Sequence, residues 1–199
     1  SGAGNAGAKQ AGRAFIYLMD GILDEATIIW FNTQVNIQQQ MTTIKPLLYS
    51  AVDALPAAGG TAVWDGAYAG VIELINNGVN TCRAVVVITD GADNSSSRTP
   101  SEIISLANRH DVRVFTISLG ASTNTSQLEM VATLTGGKYY LVSNAGELAS
   151  IFGVIHGEVR SCVGECKITY EAECADSTTR GVELFLENYC SGSVAKTKT

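Results

Sequence analysis

Apolar positions recur at intervals of three and four through Ala11, Ala14, Phe15, Leu18, Met19 and Ile22. The chain is therefore expected to open on an amphipathic helix with one face against a core. Ile28 to Phe31 form a short apolar run, after which Val35 and Ile37 alternate with polar residues as far as Gln40. This predicts a buried strand with a bent or hairpin-like extension. Pro46 and Pro56 bracket a short helix over Leu47 to Leu55, the first proline at an early turn and the second past the end. Beyond Gly59-Gly60 the helical period returns at Val63, Ala67, Val71 and Leu74 and stops at Asn76-Asn77-Gly78. The strongest strand follows: Ala84-Val85-Val86-Val87-Ile88 is a continuous run of the kind found in parallel strands covered on both faces by helices.

The alternation continues with a helix over Ser101 to His110, a strand over Val112 to Leu119, a helix over Ser126 to Thr135, a strand over Tyr139 to Val142 and a helix over Glu147 to Val159. It implies an α/β fold of three layers, doubly wound around a mostly parallel sheet with one antiparallel edge strand. After Arg160 the period becomes two, over Lys167 to Glu173 and Gly181 to Glu187, which predicts a small β-hairpin. The expected division is a main domain over 1–160 and an extension over 161–199, with Ser191 to Thr199 polar enough to be a linker.

With 199 residues and 46% hydrophobic content the chain can bury a full α/β core. Only 16% of residues are charged and the net charge is -6, so no basic stripe exists to track a phosphate backbone, and nucleic acid is set aside as a partner. No apolar stretch approaches the roughly 20 residues that span a bilayer, and no signal-like segment opens the chain. It reads as a soluble fragment or mature product. Cys162, Cys166, Cys174 and Cys190 crowd near the end, while Cys82 stands alone. With no C-x-x-C pair, and with His110 and His156 away from ligand spacing, this favours disulfides in an extracellular or cell-surface setting over a zinc site. The Val85 strand starts, and the Glu147 to Val159 helix ends, at the same end of the sheet, so Cys82 is expected to bridge to the Cys162–Cys174 cluster. Asn94-Ser95-Ser96 and Asn124-Thr125-Ser126 are glycosylation acceptors if the source is eukaryotic.

In open parallel sheets ligands bind outside the carboxyl ends of the strands. Asp90 stands there, in Thr89-Asp90-Gly91-Ala92-Asp93-Asn94. It can face a hard cation or, like Asp93, cap a loop or the following helix. In Gly59-Gly60-Thr61-Ala62-Val63-Trp64-Asp65 a threonine hydroxyl is presented from a glycine turn at a helix start, as a neutral oxygen ligand, as a helix cap, or as both. Gly2, Gly4 and Gly7 spell G-x-G-x-x-G, but no strand precedes them and the Ile28 strand runs into Asn32, so dinucleotide binding is set aside. Neither His110 nor His156 falls at the ligand end of a strand, so no nucleophile finds a base there; no catalytic residue is assigned and the chain is read as a non-enzyme.

The alternation together with Gly60-Thr61, Thr89-Asp90-Gly91, Val114-Phe115-Thr116-Ile117-Ser118-Leu119-Gly120 and Thr135-Gly136-Gly137-Lys138-Tyr139-Tyr140 resembles the von Willebrand factor A family over roughly residues 1 to 159. The resemblance implies a metal-ion-dependent adhesion site for Mg²⁺ (or Mn²⁺ or Ca²⁺), with Thr61 and Asp90 as the threonine and aspartate ligands and Asp65 assisting from behind them. It also implies that the family's first strand and its D-x-S-x-S loop are absent from this chain. That strand belongs between the Ile28 and Val85 strands, so the site is incomplete and a strand from a second polypeptide or a cleaved upstream fragment is expected to fill the gap. Tyr189-Cys190-Ser191-Gly192-Ser193 imitates the loop, but Glu183 and Glu187 before it suit a half-exposed hairpin. The expected function is metal-dependent binding of a protein ligand, whose carboxylate completes the metal shell. The alternative is a structural subunit of an extracellular assembly, completed by a neighbour's strand, with the metal vestigial.

Overall fold

The helical period read from Ala11 extends upstream, and α1 runs Gly2–Leu18. Gly2, Gly4 and Gly7 therefore lie in helical turns and form no phosphate-cradling loop. The helix stops short of Ile22 because Asp20 intervenes: its Oδ1 accepts the N–H groups of Ile22 at 2.8 Å and Leu23 at 3.2 Å, a side-chain turn that competes with helix continuation. The computed structural model describes residues 2–56, 60–120, 123–143 and 145–161, except for the side chains of 2–6 and 145. The described residues all fall within one compact unit, residues 1–162. The hairpin expected over 167–187 and the four clustered cysteines lie outside the described residues. Cys82 is disulfide-bonded, and its partner likewise lies outside them.

The apolar run and its alternating extension form an antiparallel hairpin, β1 (Ala26–Phe31) and β2 (Val35–Thr42), with register shifts between Ala26 and Ile29. Next come α2 (Lys45–Asp53), α3 (Val63–Asn77), β3 (Arg83–Thr89), α4 (Pro100–Arg109), β4 (Val112–Leu119), α5 (Thr125–Leu134), β5 (Tyr139–Val142) and α6 (Leu148–Arg160). Strands β3, β4 and β5 pair in parallel in that order. One core lies between β3–β4 and helices α3, α4 and α5, centred on Trp64, Val71, Ile103, Val114 and Val131. A second lies on the opposite face against α1 and α6, with Phe115, Ile117, Phe152 and Ile155. A third joins α1 to α2 and β1 through Ile16, Met19, Leu48 and Val52. This is the three-layer arrangement expected of alternating strands and helices.

The sheet is nevertheless divided. Among the described residues β1 pairs only with β2 and β3 only with β4, so the inner edges of β1 and β3 carry no ladder partner. The difference shows in burial: Val114, Phe115 and Ile117 of β4 are fully buried, whereas Val85, Val86 and Ile88 of β3 are half-buried despite an equally apolar sequence. Both helix layers bridge the two parts. On one face α3 touches both strands at glycines one turn apart: a Cβ on Gly66 would stand 2.5 Å from Phe31 of β1, and one on Gly70 would stand 3.2 Å from Val85 of β3. On the other face Phe15 of α1 packs into both the core that contains Ile28 and the core that contains Val86. The two open edges thus share a floor and a roof.

Candidate metal site at the strand ends

Three loops meet where β1 and β3 end. The Ala62 N–H donates to Asn32 O at 2.7 Å, and the Asn94 N–H donates to Thr61 O at 3.0 Å. The Thr61 N–H donates to Asn94 Oδ1 at 3.0 Å. The approach is close: a Cβ on Gly60 would stand 2.7 Å from Ser95 Oγ and 2.9 Å from the Thr33 methyl, so a side chain there would push the loops apart. The turn that carries Asp90 is shaped by the buried Thr89, whose hydroxyl donates to Gly91 O at 2.8 Å and accepts the Gly91 N–H at 3.2 Å. Thr61 Oγ1 faces this turn, 3.3 Å from where a Cβ on Gly91 would be.

The start of α3 is capped across the chain. Its N-cap position is Ala62, which has no side-chain hydrogen bond to give. Asp93 Oδ1 accepts the Val63 N–H at 2.8 Å, and Ser96 Oγ accepts the N–H groups of Trp64 and Asp65 at 3.0 and 3.1 Å. Ser96 in turn donates to Asp93 at 2.5 Å. These are the orphan amides of a helix start, satisfied from the loop after β3 instead of from the preceding residue. Thr61 is consequently not the cap, and neither does Asp93 cap the helix that follows it. That helix, α4, is capped by Thr99 in a reciprocal box with Glu102.

Asp65 closes the other end of the loop. Its carboxylate accepts the Ser97 N–H at 3.0 Å, the Ser97 hydroxyl at 3.2 Å and the Arg98 N–H at 2.8 Å. Burial alone would raise its pKa, but the Ser97 and Arg98 amides, the Ser97 hydroxyl and the Arg98 charge outweigh it and hold the carboxyl below its ordinary value. Arg98 stacks over the Tyr68 ring at 4.2 Å, a further tie to α3.

Of the three residues singled out from sequence, Thr61 and the Asp90 turn are neighbours, and Asp65 lies one layer back with its oxygens on loop amides. Sequence reasoning passed over Asn32, Asn94, Ser96 and Ser97 as structural partners. Ser95-Ser96-Ser97 read as sequon and loop, and periodicity carries no trace of a cap donated from some thirty positions downstream. Thr61 and Asp90 offer one neutral and one anionic oxygen, the donors that Mg²⁺, Mn²⁺ and Ca²⁺ favour. The pair fits such an ion in kind but supplies two donors toward six. Among the described residues no group of three or more His, Cys, Asp or Glu side chains is placed to hold a metal, and no helix is long and apolar enough to cross a membrane.

Helices on both faces of a parallel sheet define a doubly wound α/β domain. The sequence model of the von Willebrand factor type A domain matches residues 18–154, more than half of the chain, and the chain belongs to that family. No curated protein matches it. Among solved structures it is similar to proximal thread matrix protein 1 from the mussel byssus, with 19% identity, 78% of this chain and 40% of that chain covered, and a TM-score of 0.67. A second structure of the mussel protein, described as having a zinc-occupied MIDAS motif, matches with 18% identity over 79% of this chain and 40% of that one, with a TM-score of 0.64. The protein BatB of Bacteroides thetaiotaomicron matches with 15% identity, 79% of this chain and 88% of that chain, and a TM-score of 0.66. The chain therefore spans less than half of the mussel protein, and these likenesses speak to the fold.

Proposed function

We propose that this chain is a metal-dependent protein-binding module of adhesion type and not an enzyme, working outside the cell or at its surface. The observation that carries the reading is the direction of the Thr61 hydroxyl: with α3 capped by Asp93 and Ser96, it is left to face the Asp90 turn. A divalent cation there, Mg²⁺ or alternatively Mn²⁺ or Ca²⁺, would offer an open coordination position to a carboxylate of the partner protein. Asp90 would hold the cation by charge and Thr61 by a neutral oxygen. Asp65 acts one step back, fixing through the Ser97 and Arg98 amides the loop that carries Asp90. The zinc-occupied MIDAS motif named for the mussel protein supports a cation site in a chain of this fold, and the Cys82 disulfide supports an oxidising compartment. The remaining donors would arrive with an apolar strand lying between β1 and β3, from a second polypeptide or an upstream fragment. Calorimetric titration with Mg²⁺, Mn²⁺ and Zn²⁺ of the chain assembled with the strand that completes it tests the site. Binding heat should disappear in Asp90→Ala and weaken in Thr61→Ala, and an Asp90→Ala chain that binds as well as the parent would show the assignment to be wrong.

A second reading is favoured by the unpaired inner edges of β1 and β3: a structural subunit of an extracellular assembly, completed by a neighbour's strand, with a vestigial metal end. It expects strand insertion to stabilise the chain while no cation binds, with or without the strand.

A further inference from the structure

Both backbone polar groups of Thr61 end on one residue. Its N–H donates to Asn94 Oδ1 at 3.0 Å, and its carbonyl accepts the Asn94 N–H at 3.0 Å. The Asn94 side chain is itself held, because Ser95 Oγ donates to the same Oδ1 at 2.6 Å. The approach needs the bare backbone of Gly60: a Cβ there would stand 3.2 Å from Asn94 Oδ1 as well as 2.7 Å from Ser95 Oγ. The amides that follow go to other partners, Ala62 to Asn32 O at 2.7 Å and Val63 to Asp93 Oδ1 at 2.8 Å. Thr61 stands ahead of α3, which begins at Val63, so no helical ladder fixes its peptide.

We propose that Asn94 is a positioning residue for the candidate cation site: it sets the direction of the Thr61 hydroxyl and makes Thr61 and the Asp90 turn one body. The inference rests on the reading of Thr61 and Asp90 as cation donors and names the group that holds them together. Threonine is β-branched and stiff about χ1, so the placement of its backbone decides where Oγ1 points. Here it points to the Asp90 turn, 3.3 Å from where a Cβ on Gly91 would be. Asn94 follows Asp90 in the same loop, so a movement of that loop carries Thr61 with it. Two donors from separate loops are thereby set in place before a cation arrives, and a site is only as exact as the residues that hold its donors. Groups that orient metal ligands without touching the metal are worth about 10–100-fold in affinity.

Residue-resolved hydrogen exchange and three-bond proton couplings on the full chain test the clamp without any metal. In the parent the Thr61 amide should exchange slowly and Thr61 should keep one χ1 rotamer. Asn94→Leu has a similar shape but no acceptor. It should speed the Thr61 amide by about three- to tenfold, as loss of one hydrogen bond does, and average the rotamer, while the Ala62 and Val63 amides stay as they are. Asn94→Asp restores an acceptor oxygen and should keep both signals near the parent's. Gly60→Ala reaches the clamp from the other side and should mimic Asn94→Leu, so the test stands even where that variant fails to fold. Calorimetric titration with Mn²⁺ of the chain assembled with its completing strand should show Asn94→Leu binding about 10–100-fold more weakly. A Thr61 amide and rotamer unmoved in Asn94→Leu and Gly60→Ala, their loss in Asn94→Asp, or parent-like Mn²⁺ affinity in Asn94→Leu would each overturn the proposal. An Asp90→Ala chain that binds Mn²⁺ as the parent does would instead remove the cation reading and with it the role of Asn94 there, while the exchange pattern of the free chain still reports the clamp.

Discussion

Asp65 accepts the Arg98 N–H at 2.8 Å, joining the first turn of α3 to the far end of the loop that carries Asp90. Because the folded carboxyl is held below its ordinary value of 3.8, the unfolded chain binds the proton more readily. The contribution is therefore fully present above 3.8 and is lost as pH falls through the lower, folded value. Asp65→Ala should cost about 1–2 kcal/mol at neutral pH, with the group's partial exposure keeping it at the low end. Urea unfolding at pH 7 and at about pH 3 reads the difference. The penalty should shrink in acid, and an equal penalty at both would show that the charge does not hold the loop.

The contact between α3 and β1 is set by the missing side chain of Gly66. In an exposed helix Gly→Ala gains up to about 1 kcal/mol, but here the new methyl would stand 2.5 Å from the Phe31 ring and 3.2 Å from its Cβ. Ring displacement should win, so Gly66→Ala is expected to destabilise by about 1–3 kcal/mol. The same change at Gly70, where the nearest atoms are Val85 methyls at 3.2 and 3.3 Å, should cost less. A Phe31→Leu background should recover part of the Gly66→Ala loss, and additive effects in that double-mutant cycle would remove Phe31 as the cause.

Most of the architecture was legible because each element announces itself locally: β-branched runs for β3 and β4, and a three-four apolar period for α3. The ends of elements were less so. α1 stops at Leu18 because Asp20 diverts two amides, a side-chain choice that periodicity does not record. Thr61 illustrates the same limit at the site. Its sequence neighbourhood fits a cap and a ligand equally well, and the alternatives separate only once Asp93 and Ser96 are seen to reach the helix start from another loop. Contacts between distant segments decide the chemistry there, and a single sequence does not encode which distant oxygen arrives first.

Tyr139 and Tyr140 each bury a phenol oxygen with no hydrogen-bond partner among the described residues. Burial, with Glu158 adding to it, pushes the Tyr140 hydroxyl above its ordinary value of 10.0. The unfolded chain therefore loses that proton first, and the contribution to stability declines as pH rises beyond 10. Removing an unpaired buried hydroxyl removes its desolvation cost, so Tyr140→Phe should be neutral or stabilising by up to about 1 kcal/mol and should make the protein less sensitive to alkali. Thermal unfolding at neutral and alkaline pH measures this. A clear loss of stability at neutral pH would reveal a partner for the hydroxyl.

The open edges of β1 and β3 make the most specific demand on the chain. In a parallel strand successive residues turn their backbone groups to opposite sides, so β4 satisfies only alternate amides of β3. The others face the gap under α1 and α3, where an unmet N–H or C=O costs about 1–3 kcal/mol if water is kept out. Water must then reach the slot, or a strand must fill it, and the half-burial of Val85, Val86 and Ile88 fits a slot open to solvent in the chain alone. Residue-resolved hydrogen exchange of residues 1–199 should therefore show alternation along Ala84 to Ile88, with protected amides separated by fast ones. Adding an extended peptide of about six β-branched residues, apolar on both faces, should slow the fast set and raise the unfolding temperature. A peptide carrying Lys at alternate positions should do neither, because one of its faces would bury charge. Uniform protection of β3 in a monomer with no peptide would falsify the slot.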